Sequence, residues 1–143
     1  MSNFSRFMKA NKIVRENEKY APTESLTDGQ GKPLEWEFRH ITSKENEDLR
    51  ESCTMEVQVK GKPNFFRPKF NSAMYISKMI VASTVFPDLY DKALQDSYGV
   101  MTPEELVYAM VDDAGEYQKL SAWMQKFHGF DKDMDEKVEE AKN

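Results

Sequence analysis

Residues 34–54 read LEWEFRHITSKENEDLRESCT, and within that stretch an alternating strand passes into a helix start with no linker between them. Leu34, Trp36 and Phe38 alternate with Glu35, Glu37 and Arg39, which turns one aromatic-rich face toward a core and one charged face toward water. That is the pattern of a half-buried antiparallel strand. Thr42 is followed three residues later by Glu45, a capping box in which hydroxyl and carboxylate each satisfy a backbone N–H orphaned at a helix start. The helix is expected to begin near Ser43. The unit specifies architecture but holds no nucleophile beside a base, no ligand cluster and no phosphate loop.

Working upstream, residues 20–26 can extend, although Pro22 confines them to an edge or an irregular strand. Asp28-Gly29-Gln30-Gly31-Lys32-Pro33 supplies residues that tolerate positive φ and would fold this segment back on the Leu34 strand as a hairpin. Phe4, Phe7 and Met8, behind Ser2 or Asn3 as caps, predict a short amphipathic helix that fades by Asn11. Downstream, residues 55–59 and 65–70 flank Lys60-Gly61-Lys62-Pro63, a second hairpin.

The chain then turns helical. Asn71 caps a segment in which Tyr75, Ile76, Met79, Ile80 and Ser83 share a face, and Pro87 ends it. Asp88 can cap a shorter helix closing at Gly99, and Thr102-Pro103-Glu104-Glu105 combines an N-cap, a proline at the first helical position and an early carboxylate. Leu106, Val107, Met110 and Val111 supply the next apolar face; Tyr117, Leu120, Trp123, Met124 and Phe127 supply the last, ending at Gly129 in a left-handed cap. The expected fold is α+β: a small antiparallel sheet of two hairpins with an intervening helix, then a helical C-terminal half packed on the sheet's apolar face. Residues 1–130 form one domain. Residues 131–143 form an acidic tail in which Met134, Val138 and Ala141 keep helical spacing, a frayed helix expected to order on a partner.

The 143 residues suit a single domain whose core needs no staples. The one cysteine, Cys53, cannot close an intramolecular disulfide and is expected as a small buried thiol. No apolar run approaches the roughly 20 residues of a membrane span, and MSNFSRFMKANK lacks the apolar centre of a signal peptide. A reducing, cytoplasmic setting with no membrane partner is expected. The net charge of −5 is unevenly divided: residues 1–70 carry 13 Lys/Arg against 11 Asp/Glu, residues 71–143 carry 7 against 14 and no arginine. Duplex nucleic acid would find little phosphate-binding surface in that second half.

Sites of chemistry are sparse. Asp131, Asp133 and Asp135 imitate the opening of a calcium loop, but Glu136 stands where the turn needs glycine and Lys142 where a bidentate glutamate belongs. His40, His128 and Cys53 lack paired ligand spacing. His40, in phase with Trp36 and Phe38, is expected as a strand histidine with a local hydrogen bond; His128, ahead of Gly129, as a partly cationic side chain suited to a helix C-terminus. No metal, cofactor or catalytic residue is expected. Glu104-Glu105 and Asp112-Asp113 fit caps and first-turn charges. Lys60, Lys62, Arg67 and Lys69 around Phe65 and Phe66 could track a single strand while stacking its bases, so a small nucleic-acid-binding module using the 60–69 hairpin stands as the alternative function, set against the acidic chain and the ordinary use of lysines on sheet edges.

The wording of several segments resembles the XkdN-like tail assembly chaperones of long-tailed phages and defective prophages: LEWEFRHITSKENEDLRESCT at 34–54, VFPDL at 85–89, LQDSYGVMTPEELVYAMV at 94–111, GEYQKLSAWMQKFHGF at 115–130 and DEKVEEAKN at 135–143. None of these is a catalytic motif. The resemblance implies a non-enzymatic assembly factor that binds the tape-measure protein, keeps its long apolar helices soluble and helps tail-tube subunits polymerise around it. Nine methionines accompany that reading, since flexible thioethers make adaptable surfaces for helical clients, although methionines at helical spacing are more often core. Met101, Leu106, Met110 and Met124 are expected to contribute to or border a client groove, with Met134 and Val138 of the tail ordering over it.

Overall fold

Thr42 does what its spacing requires: its hydroxyl accepts from the Glu45 backbone N–H at 3.1 Å while the Glu45 carboxylate accepts from the Thr42 N–H at 3.0 Å. The helix that follows, α1 (Ser43–Ser52), begins where the capping box places it. In the computed structural model, which describes residues 3–130, the strand before it is β2 (Trp36–Phe38), and Trp36 and Phe38 are buried. Leu34 does not join them. It lies before the strand and is 44% exposed; the regular β1–β2 ladder, over which alternation sorts side chains, starts at Trp36.

The first hairpin forms through β1 (Glu18–Tyr20), paired antiparallel with β2 so that Tyr20 opposes Trp36 and Glu18 opposes Phe38. The strand proper sits earlier than the sequence places it. The 20–26 stretch leaves the sheet and rejoins it only at the isolated Thr27–Pro33 bridge and the Leu34 N–H to Leu26 carbonyl bond of 2.8 Å. Gly31, at φ 83°, closes the turn in the left-handed region that a side chain would resist. Ahead of β1 the N-terminal segment makes two 3-10 turns, Asn3–Phe7 and Lys9–Asn11, with Phe4, Phe7 and Met8 exposed. It is not the amphipathic α-helix their spacing predicts; among the described residues its apolar side chains stay uncovered.

The second hairpin is a ribbon of β3 (Thr54–Val59) and β4 (Lys62–Phe70), joined at Gly61. It does not extend the first sheet. β2 is instead flanked on its other side by β5 (Thr84–Phe86), giving a three-stranded sheet in the order β1-β2-β5 and a separate two-stranded ribbon. The architecture is α+β as expected, with its strands divided between two small antiparallel sheets.

Asn71 caps α2 (Ser72–Ser83), Asp91 caps α3 (Lys92–Ser97), Thr102 caps α4 (Pro103–Met110) and Asp113 caps α5 (Ala114–Phe127), each through a side-chain oxygen accepting a backbone N–H. Asp88 is not a helix cap; its carboxylate accepts from the Tyr90 N–H in the turn after the cis Phe86–Pro87 bond. Gly129, at φ 82°, ends α5 as its position predicts. The core gathers Trp36 and Phe38 from β2, Tyr75, Met79 and Ile80 from α2, Leu106, Val107 and Met110 from α4, and Leu120 and Met124 from α5. Cys53, at the end of α1, is buried as a free thiol.

Candidate functional site

The residues expected to border a groove have three different fates. Leu106, Met110 and Met124 are core residues, packed beneath α4 and α5 and presenting nothing to a partner in this conformation. The physical reason is their spacing: the helical stripe that makes a flexible surface also makes an inward face, and both helices pack on α2. Met101, between α3 and α4, is 87% exposed. Met134 and Val138, like Asp131, Asp133 and Asp135, lie outside the described residues.

Along α5 an aromatic file ties the helix to the sheet. Tyr20 stacks on Trp123 at 4.7 Å between ring centroids, Trp123 on Phe127 at 4.9 Å, and Phe127 on the His40 imidazole at 3.9 Å. His40 lies past the end of β2, so it is not the strand histidine that its phase with Trp36 and Phe38 predicts. His128 stands edge-on to His40 at 5.9 Å, and its Nε2 shares a 2.9 Å hydrogen bond with the buried Ser83 hydroxyl. Burial, then the neighbouring His40 and Arg39, pull the His128 pKa down to about 4. It is therefore neutral near pH 7, against the partly cationic helix-end role its position suggests, because the helix-end attraction does not offset desolvation and the neighbouring Arg39 charge. His40 is shifted in the same direction, chiefly by burial. The two imidazoles meet without Cys53, and among the described residues no three His, Cys, Asp or Glu side chains converge as metal ligands would.

The Asp113 region is structural. Asp113 Oδ2 accepts from the Glu116 N–H at 3.0 Å, and Glu116 reaches outward: Oε1 accepts from the Thr23 hydroxyl and Oε2 from the Glu24 N–H, both at 2.8 Å. The carboxylate pins the 23–25 segment to the start of α5 across an open depression of about 710 Å³. Arg39 and Glu45 make a two-pronged pair, Nη1 to Oε1 at 3.1 Å and Nη2 to Oε2 at 2.5 Å. That pair, with the Thr42 cap, holds the Glu45 pKa at about 2.

The apolar surface left open is on the ribbon. Met55, Phe65 and Phe66 are each more than 60% exposed. At its base, Phe70 packs tilted against Tyr75, 5.4 Å between ring centroids, and lies under the Arg50 guanidinium, 4.7 Å from the ring centroid. Beside Phe70 a groove of about 410 Å³ is lined by Met55, Val57, Lys69 and the start of α2.

Comparison with known proteins identifies the lineage. The model of the phage XkdN-like tail assembly chaperone protein family matches residues 4–142. The chain belongs to that family. Among relatives of this XkdN-like chain, the phage-like element PBSX protein XkdN of Bacillus subtilis strain 168 is 26% identical over 144 aligned residues, covering 99% of this chain and 94% of its own length. The uncharacterized protein YqbN of the same organism is also 26% identical over 144, covering 99% and 93%. The crystal structure of YqbN superposes with a TM-score of 0.74 at 21% identity, covering 91% of this chain and 98% of that one, so the XkdN-like chain shares its fold. Among the described residues no helix is long and apolar enough to cross a membrane.

Proposed function

We propose that this tail assembly chaperone family member binds the tape-measure protein during tail assembly and keeps its apolar helices in solution, with tail-tube subunits as further partners. The observation that carries the reading is the family match over residues 4–142. The exposed apolar side chains of Met55, Phe65 and Phe66 on the ribbon support it, since exposed apolar surface is a usual mark of an interaction site. The protein acts by binding and not by catalysis. Exposed Met101, with Met134 and Val138, is proposed to extend the client contact.

The test is co-expression with the tape-measure protein encoded in the same genome. A soluble complex that co-purifies at defined stoichiometry is expected, with the tape-measure protein sedimenting as aggregate when expressed alone. A client equally soluble without the chaperone, and absent from its purification, would overturn the reading.

A further inference from the structure

The ribbon's register sorts its side chains in a way that its composition does not reveal. Met55 pairs with Lys69, Val57 with Arg67 and Val59 with Lys62. Partners in register share a face, so one face carries an apolar column on β3 (Met55, Val57, Val59) beside a basic column on β4 (Arg67, Lys69). The other face pairs Thr54 with Phe70, Glu56 with Pro68 and Gln58 with Phe66, and Phe70 there is engaged with Arg50 and Tyr75. Residues 54–70 hold four cations, Lys60, Lys62, Arg67 and Lys69, against the single carboxylate Glu56, in a chain of net charge −5. Among the described residues the ion pairs are Arg39–Glu45 and Lys44–Asp48, so neither Arg67 nor Lys69 has a carboxylate partner.

We propose that this face of the ribbon, the Met55–Val57–Val59 column with Arg67 and Lys69 beside it, docks an amphipathic helix of the client whose apolar stripe is flanked by carboxylates. The inference rests on the client-binding reading above. The dimensions match. The apolar column spans about 13 Å at ~3.3 Å per residue, a little over two turns of a helix with a pitch of about 5.4 Å. Arg67 and Lys69, two residues apart on one side of a strand, are separated by about 6.6 Å, close to the ~6 Å rise between helical positions i and i+4. Acidic residues at that spacing would meet both cations while the stripe covers Met55 and Val57, with the groove between Val57 and Phe70 taking one large apolar side chain. Opposite charge sets partner choice and register, and the apolar column supplies the burial.

The experiment uses the full chain co-expressed with the tape-measure protein, comparing wild type, Arg67→Glu/Lys69→Glu, Met55→Ser/Phe65→Ser and a control, Lys92→Glu/Lys126→Glu, in the helical half. Both ribbon variants are expected to retain less than a tenth of the wild-type capture, with the control unchanged. Thermal unfolding midpoints within a few degrees of wild type exclude misfolding. A client fragment whose flanking Asp and Glu are replaced by Lys should recover binding to Arg67→Glu/Lys69→Glu. Undiminished capture by the ribbon variants, where wild type captures the client, overturns the inference and leaves the chaperone reading standing. A wild type that captures no client fails the chaperone reading itself. Salt-dependent binding of single-stranded oligothymidine that Arg67→Glu/Lys69→Glu abolishes, with client capture intact, would assign the face to nucleic acid instead.

Discussion

Trp36 and His128 show how one side chain's surroundings settle its role. Trp36 is 2% exposed beneath the three-stranded sheet and packs beside Phe38. Trp36→Ala should lower the unfolding free energy by about 3–5 kcal/mol, as truncation of a buried aromatic does, measured by chemical denaturation. His128 makes a pH-dependent contribution of the opposite kind. Its folded-state pKa of about 4 lies below the ordinary 6.5, so between those values the unfolded chain holds the extra proton. Its contribution is full above about pH 6.5 and is lost as pH falls toward about 4. His128→Gln, which keeps a polar group near Ser83 without the titration, should flatten the pH dependence of stability relative to wild type across that window, in denaturant titrations at successive pH values. The sequence gives His128 its place at the end of a helix, where a cation is favoured. It cannot show that Arg39 and His40 arrive on the same side from a distant strand.

At the scale of elements, local signals were legible and long-range ones were not. The Thr42–Glu45 box, the Thr102-Pro103 start and the Gly129 stop each operate within a turn of chain and are found where the residues place them. β5 is three residues long, too short for alternation to register, and it follows α2 directly, so the helix signal runs on toward Pro87 although the helix stops at Ser83. Leu106, Met110 and Met124 illustrate the same limit, because a stripe at helical spacing is identical whether it faces a core or a client. Asp113 and Glu116 have the spacing of a capping box, yet the Glu116 carboxylate serves Thr23 and the Glu24 N–H. Glu116→Ala removes both oxygens that accept from the Thr23 hydroxyl and the Glu24 N–H. It should cost about 1–3 kcal/mol and raise amide hydrogen exchange around residues 23–25 while leaving the α5 start protected.

Across the whole molecule, the core and the ribbon are separable. The core elements are β2, α2, α4 and α5, whereas β3 and β4 contribute no buried side chain. Replacing residues 58–66 with Asn-Gly, a sequence suited to a two-residue hairpin, should therefore leave the thermal midpoint within a few degrees of wild type. Near-ultraviolet circular dichroism would be unchanged in its tryptophan bands, since both Trp36 and Trp123 lie in the sheet–helix layer. A collapsed midpoint would make the ribbon part of the cooperative fold.

The sheet order β1-β2-β5 carries a consequence for the chain as it is made. β2 leaves the ribosome early, yet one of its hydrogen-bonding neighbours is residues 84–86, and Phe38 meets Trp123 at 5.1 Å only when α5 exists. A lone two-stranded hairpin is marginal in water, and until α5 emerges the β2 face lacks the Phe38–Trp123 contact and the core lacks Leu120 and Met124. Ribosome-bound nascent chains ending at residue 113 should be digested by protease as readily as unfolded polypeptide, and those with residue 130 clear of the exit tunnel should resist. Synthesis of this protein thus passes through a vulnerable interval that closes in one late step.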